Sequence, residues 1–63
     1  MLTPRQTEIL QLTADGCTVE MTAQELGTSK QTVRNQRSAV MEILGAENMI
    51  QAVAMGLRRK LII

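Results

Sequence analysis

Apolar residues recur at helical spacing in four segments of the chain, and cap residues and glycines separate these segments. Thr3, Pro4 and Gln6 predict the start of the first helix, because threonine can cap, proline suits the first helical position and glutamine completes a capping box. Ile9 follows at helical spacing, and Gly16 predicts the helix end through a left-handed cap.

The same signals predict the other three helices. The expected N-caps are Thr18 for the second helix, Ser29 for the third and Asn48 for the fourth. The second helix ends at Gly27, the third spans about residues 30–44 and the fourth about residues 49–59. No segment shows a convincing β-strand alternation. The pattern therefore predicts an all-α fold, a four-helix bundle with short connections.

Composition narrows the class of protein. The chain has 63 residues, which suits one domain over residues 1–63, and it contains no aromatic side chain. Histidine is absent and Cys17 is the one thiol, which argues against an enzyme, a metal site or a disulfide. No cofactor is expected. Neither a membrane-length apolar run of about 18 residues nor a leader pattern occurs, so we expect a cytoplasmic protein.

The connection between the second and third helices is the most informative local pattern. A short amphipathic helix, a turn of about three residues containing Gly27, and a longer helix together form a helix-turn-helix pattern. Many helical hairpins share this geometry. The spacing alone therefore leaves both a nucleic-acid-binding role and a purely structural role open.

Three stretches of sequence are specific to a known family: the opening LTPR-x-x-E-I-L, the segment GTSKQTVRNQRS and the close QAVAMGLRRKLI. From Leu2 to Ile62, without gaps, the chain resembles the LuxR/GerE-type helix-turn-helix DNA-binding domain. The resemblance implies a bacterial or phage protein acting at the nucleoid. It also implies that the third helix enters the major groove of double-stranded DNA, and that the domain forms a homodimer through the fourth helix. In most members this domain is the output module of a larger regulator.

The polar face of the third helix carries the candidate base contacts. A helical wheel places Arg34, Asn35 and Ser38 away from the apolar side of this helix. Arginine can bind guanine O6 and N7, asparagine can pair with adenine, and serine can contact a base or a phosphate. The resemblance assigns base contacts to the same three residues. An ordinary solvated helix face is the alternative.

Five further residues are candidate DNA contacts around this face. Lys30, Gln31 and Thr32 lie at the start of the third helix, where backbone N–H groups also favour a phosphate. Thr18 and Thr28 can add hydroxyl contacts from the second helix cap and the turn. Each threonine can equally serve only as a cap or turn residue, and that alternative stays open.

Arg37 lies on the wheel between Arg34 and the apolar side of the third helix. The resemblance implies that this position is structural, with an ion pair from Arg37 to Glu8 that ties the third helix to the first. A DNA contact by Arg37 is the alternative. Gln36 is assigned no role. The basic cluster at residues 58–60 is attributed to the negative end of the fourth helix dipole.

The fourth helix carries two apolar stripes, although a surface helix of a monomer needs only one. One stripe is expected to face the core and comprises Ile50, Val53, Ala54 and Leu57. The other is expected to form the dimer interface and comprises Met49, Ala52, Met55 and Gly56. Its small residues would allow close approach of a partner helix. The alternative is that the domain covers both stripes with the help of its C-terminal tail.

Charge weakens the case for tight DNA binding by one subunit. The net charge is only +1, and Glu42 lies one turn beyond Ser38, where a carboxylate repels phosphate. The first hypothesis is a sequence-specific, dimeric transcription regulator. The second is a protein-interaction module that keeps the helix-turn-helix frame but binds RNA polymerase or another regulator, with little DNA affinity of its own.

Overall fold

The computed structural model describes residues 1–63 and contains four α-helices and no β-strand. The helices are α1 (Pro4–Ala14), α2 (Val19–Leu26), α3 (Lys30–Leu44) and α4 (Met49–Arg58). The all-α prediction is confirmed. The fourth helix ends one residue earlier than predicted, because Arg59 is its C-cap. None of the four helices has the length and apolar run needed to cross a lipid bilayer.

Every helix begins at the N-cap that the sequence predicts. At α1 the backbone N–H of Gln6 donates to Thr3 Oγ1 at 3.1 Å, and the backbone N–H of Thr3 donates to Gln6 Oε1 at 2.9 Å. This reciprocal pair is the predicted capping box, which satisfies two helix-end donors at once. The caps of the other helices are Thr18, Ser29 and Asn48.

The helix-turn-helix turn begins where α2 ends in a left-handed residue. Gly27 has φ 66°, and the next backbone N–H, of Thr28, donates to Ala23 O at 3.0 Å. This bond satisfies one of the last carbonyls of α2, and the left-handed residue turns the chain toward α3. Thr28 and the cap Ser29 complete the short connection that the sequence predicts.

The end of α4 has the same geometry without a glycine. Lys60 has φ 57°, and the backbone N–H of Leu61 donates to Gly56 O at 2.8 Å. A left-handed conformation costs a non-glycine residue about 1–2 kcal/mol. The turn directs the last residues back onto the core, where Ile62 is buried.

The core consists of two small groups of aliphatic side chains. The larger group joins α1, α3, α4 and the tail, and comprises Leu10, Val40, Leu44, Ala52 and Ile62. The smaller group lies beneath the helix-turn-helix and comprises Ile9, Ala23 and Val33. The apolar side of α3 faces inward as the helical wheel predicts, since Val33, Val40 and Leu44 are all buried.

The predicted faces of α4 are reversed at Ala52, Gly56 and Ile50, whereas Val53 packs against the larger core group as expected. Ala52 is 0% exposed, and a Cβ added at Gly56 would lie 2.9 Å from Leu10 Cδ2 and 3.2 Å from Ile62 Cγ1. These two small residues therefore let α4 approach α1 and the tail rather than a second copy. Placing them in a dimer interface was wrong, as was assigning Ile50 to the core, because Ile50 is 85% exposed.

The other two members of the predicted interface, Met49 and Met55, are half-buried and pack against the larger core group. Both side chains therefore contribute to packing within the domain. A helical wheel cannot decide between two apolar stripes of similar width. The choice depends on which stripe fits the neighbouring side chains.

The C-terminal tail covers the inward side of α4. Ile62 is buried in the core, and the Gln11 side-chain amide forms two hydrogen bonds with the Ile63 backbone. Gln11 Nε2 donates to Ile63 O at 2.6 Å, and the Ile63 N–H donates to Gln11 Oε1 at 2.8 Å. The tail therefore helps to cover one stripe of α4 and leaves Ile50 and Leu57 of the other exposed, whereas the alternative interpretation expected both stripes to be covered.

Candidate nucleic-acid interface

The outer face of α3 presents the three candidate base-contacting residues to solvent. Val33 and Val40 are fully buried and fix which side of α3 faces the core. Arg34, Asn35 and Ser38 are all exposed on the opposite side. The packing of α3 therefore brings together on one open surface the residues that the wheel placed on one face.

Arg34 has no ion-pair partner in the chain. The single salt bridge in the structure joins Arg5 Nη1 to Glu8 Oε1 at 3.8 Å, on the outer side of α1. The Arg34 guanidinium is therefore free to donate its planar pair of N–H groups to a base edge.

Asn35 is partly oriented by its own helix. Gln31 Nε2 donates to Asn35 Oδ1 at 2.9 Å, one turn along α3. In this arrangement Asn35 Nδ2 points away from Gln31 and is a free donor. The carbonyl oxygen keeps a second lone pair, so Asn35 can still accept from adenine N6 while donating to N7. Gln31 thus supports Asn35 and is itself exposed beside it.

The remaining candidate DNA contacts divide into two groups. Lys30 and Thr32 are exposed at the start of α3, and Thr28 is half-buried in the turn beside them. Thr18 lies at the opposite end of α2, about 12 Å away along the helix axis. Its Oγ1 accepts from the backbone N–H of Met21 at 3.1 Å, so Thr18 is a helix cap whose hydroxyl proton remains available.

The expected ion pair between Glu8 and Arg37 is not formed. Glu8 lies on the outer side of α1 beside Arg5, and Arg37 Nη2 donates instead to the backbone carbonyl of Cys17 at 3.2 Å. Arg37 Nε is buried and has no hydrogen-bond partner. The structural role of Arg37 is therefore a link from α3 to the loop between α1 and α2, made through a carbonyl rather than a carboxylate.

Gln36 has a contact that the sequence analysis missed. Gln6 Nε2 donates to Gln36 Oε1 at 3.1 Å, which connects the capping box of α1 to the middle of α3. The capping box itself could have indicated this contact. A glutamine that accepts from the Thr3 N–H with Oε1 still has a free amide NH₂ group, and Gln6 is 9% exposed.

Comparisons with known proteins agree with this geometry. The family described as bacterial regulatory proteins, luxR family (GerE), matches residues 1–56. The transcriptional regulatory protein DesR of Bacillus subtilis (strain 168) is 44% identical over 52 residues, which are 82% of this chain and 26% of DesR. The chain thus corresponds to about a quarter of that relative.

A solved structure of the transcription factor GerE superposes with a TM-score of 0.94 at 32% sequence identity. The alignment covers 98% of this chain and 92% of the GerE chain. Family match, relative and solved structure agree on the helix-turn-helix fold predicted from the sequence. The chain therefore belongs to the luxR family of bacterial regulatory proteins, as a DNA-binding domain of the transcription-regulator type and not an enzyme.

Proposed function

We propose that this domain binds specific sites on double-stranded DNA as a homodimer, with α3 in the major groove. The observation that carries the proposal is the open face of α3, where Arg34, Asn35 and Ser38 have no competing partner beyond the bond from Gln31 to Asn35. Their side chains match the donor and acceptor patterns of guanine and adenine edges.

The proposed dimer contact is the exposed stripe of α4. Ile50 and Leu57 are 85% and 48% exposed, and Val53, which is half-buried and also contacts the larger core group, lies between them. These three residues are spaced three and four apart, so they form one apolar strip along the helix. A two-fold axis through this strip would pair two copies of α4 and place two α3 helices on one side of the dimer.

The names of the relatives support this proposal, since DesR is a transcriptional regulatory protein and GerE a transcription factor. The proposed place of action is the bacterial cytoplasm, at DNA of the nucleoid.

The first test is selection of binding sites from random duplexes, followed by titration at several salt concentrations. Because phosphate contacts release counterions, the logarithm of the binding constant should fall linearly with the logarithm of salt concentration.

Substitution of Arg34 separates specific from general binding. Arg34→Ala should cost about 1–3 kcal/mol on the selected site and relax the preference at one base pair. Arg58→Ala is the matched control, because Arg58 is also exposed but lies at the end of α4. Equal binding of the selected site by wild type and Arg34→Ala would show that α3 does not lie in the groove as proposed.

A second candidate function is favoured by one observation. Met21 on α2 and Ile43 on α3 are 51% and 42% exposed, so each offers apolar surface to a protein partner. Such a surface fits contact with RNA polymerase or another regulator. If the domain binds no duplex at low salt but binds RNA polymerase, and Ile43→Ser abolishes that binding, the protein-interaction hypothesis replaces the first.

A further inference from the structure

A cleft of about 370 Å³ separates the N-terminal end of α1 from the turn and the first part of α3. Its floor is apolar and includes Ile9 and Leu26. Its rim is polar and comprises Arg5, Thr28, Thr32 and Gln36. No acidic residue lines the cleft, because Glu8 lies on the neighbouring outer side of α1.

The Gln36 amide is held in one orientation by a chain of hydrogen bonds. The backbone N–H of Thr3 can only donate, so it fixes Gln6 Oε1 as the acceptor. Gln6 Nε2 must then donate to Gln36 Oε1. The Gln36 Nε2 group consequently has no partner within the chain and presents its N–H donors at the rim of the cleft.

The other rim groups are donors of the same kind. The Thr28 hydroxyl has no side-chain hydrogen bond within the chain, and the Arg5 guanidinium has only the long, exposed contact to Glu8 at 3.8 Å. The Thr32 hydroxyl shares a hydrogen bond with Ser29 Oγ at 2.9 Å. An arginine, a fixed amide NH₂ and hydroxyls around one space form a donor set suited to a phosphate group.

The cleft lies next to the open face of α3. Thr32 and Gln36 lie about one helical turn apart on one side of α3, about 60° and about 100° around the axis from Asn35. A DNA strand that borders a helix in the major groove passes along its flank, where its phosphates meet the protein.

We propose that this cleft binds one backbone phosphate of the DNA strand that flanks α3. Arg5 supplies the charge, and Gln36 supplies a donor whose direction is set in advance by Gln6 and the α1 cap. The inference rests on the proposed DNA-binding function and adds α1 to the DNA-contacting elements. A pre-oriented donor also fixes how deeply α3 enters the groove.

The first test is removal of the charge. Arg5→Gln should weaken binding of selected and random duplexes by about the same factor, roughly tenfold, and should lower the slope of the salt dependence by about 1. Arg59→Gln removes an equal charge at the C-cap of α4 and should leave affinity within about twofold of wild type.

The second test changes the free Nε2 group of Gln36 from a hydrogen-bond donor to an acceptor. Gln36→Glu keeps an oxygen that accepts from Gln6 Nε2 but replaces the NH₂ donors with a carboxylate oxygen facing the phosphate. Binding of every duplex should fall more than tenfold, while the thermal midpoint changes little. Thr28→Val, which keeps side-chain shape and removes one hydroxyl, provides a second variant if Gln36→Glu folds poorly, and should weaken binding severalfold.

NMR tests the proposed Gln36 contact directly on the wild-type protein. The side-chain amide resonances of Gln36 should shift on addition of the selected duplex, whereas those of Gln11, held by the tail, should not. If wild type binds its site but Arg5→Gln, Gln36→Glu and Thr28→Val bind it equally well, the cleft proposal is overturned and the DNA-binding function stands. If wild type binds no duplex at all, both proposals are overturned.

Discussion

Lys60 is the one residue whose backbone conformation opposes its side chain. It takes the left-handed position that Gly27 and Gly45 take after α2 and α3, with φ 57°. Lys60→Gly should therefore raise the free energy of unfolding by about 1 kcal/mol, the relieved strain less the extra chain entropy of glycine. Lys60→Ala removes the same charge but keeps the strain. Equal urea midpoints for the two variants would contradict this explanation.

Arg37 is expected to stabilise the fold through its bond to the Cys17 carbonyl. Arg37→Ala should lower the free energy of unfolding by about 1–2 kcal/mol, because it removes a charge-assisted hydrogen bond and side-chain packing. Glu8→Ala should change it by less than about 0.5 kcal/mol, since Glu8 makes only an exposed contact to Arg5. The double variant should be additive in urea unfolding. Clear non-additivity would restore the ion pair with Glu8.

Cap residues were predictable because their chemistry is local. Thr3, Ser29 and Asn48 each bond to a backbone N–H within their own first turn, so three or four letters of sequence suffice. The partners of Arg37 and Gln36 depend on how distant helices pack. No local pattern states that Arg37 reaches Cys17 or that Gln6 reaches Gln36, twenty and thirty residues away.

At the scale of elements, the turn between α2 and α3 was predictable and the orientation of α4 was not. The first is dictated by Gly27 and Ser29 at the ends of two helices with clear apolar sides. The fourth helix has apolar residues on two sides, so its pattern alone fits either orientation. The deciding fact is the close contact of Gly56 with Leu10 and Ile62, which only the packed structure shows.

This contact makes Gly56 a sensitive position. Gly56→Ala should lower the free energy of unfolding by about 1 kcal/mol, because overpacking costs about 1–3 kcal/mol and alanine recovers about 1 kcal/mol of helix propensity. The tail should also loosen, with faster amide exchange at Ile63. Leu10→Ala combined with Gly56→Ala should cost less than the sum of the two, since the smaller side chain leaves room for the new Cβ. A more stable Gly56→Ala protein would show that the tail yields freely.

At the scale of the whole molecule, the fold leaves one apolar strip on α4 without a partner while the tail covers the other. The buried core is small, with Ile9, Leu10, Val33 and Val40 as its largest fully buried apolar side chains. A domain of this size gains stability from any additional apolar burial. Self-association through Ile50 and Leu57 would supply that burial and would also pair the two DNA-contacting helices.

The corrected faces of α4 give opposite expectations for two neighbouring glutamate substitutions. Ile50→Glu should leave the protein helical but monomeric in sedimentation equilibrium, because it places charge on the exposed strip. Ala52→Glu should unfold it, because this residue is 0% exposed and a buried unpaired carboxylate is very costly.

The same dimer predicts the form of the DNA site. Two α3 helices related by a two-fold axis must enter grooves on one side of the duplex, so the site should be an inverted repeat with half-site centres about 10 base pairs apart. Ile50→Glu should then lose affinity for the full site far more than for a half-site, because each monomer keeps its own contacts while the linkage between them is gone. An Ile50→Glu protein that remains dimeric and binds the full site as wild type does would show that the strip on α4 pairs with something other than a second copy.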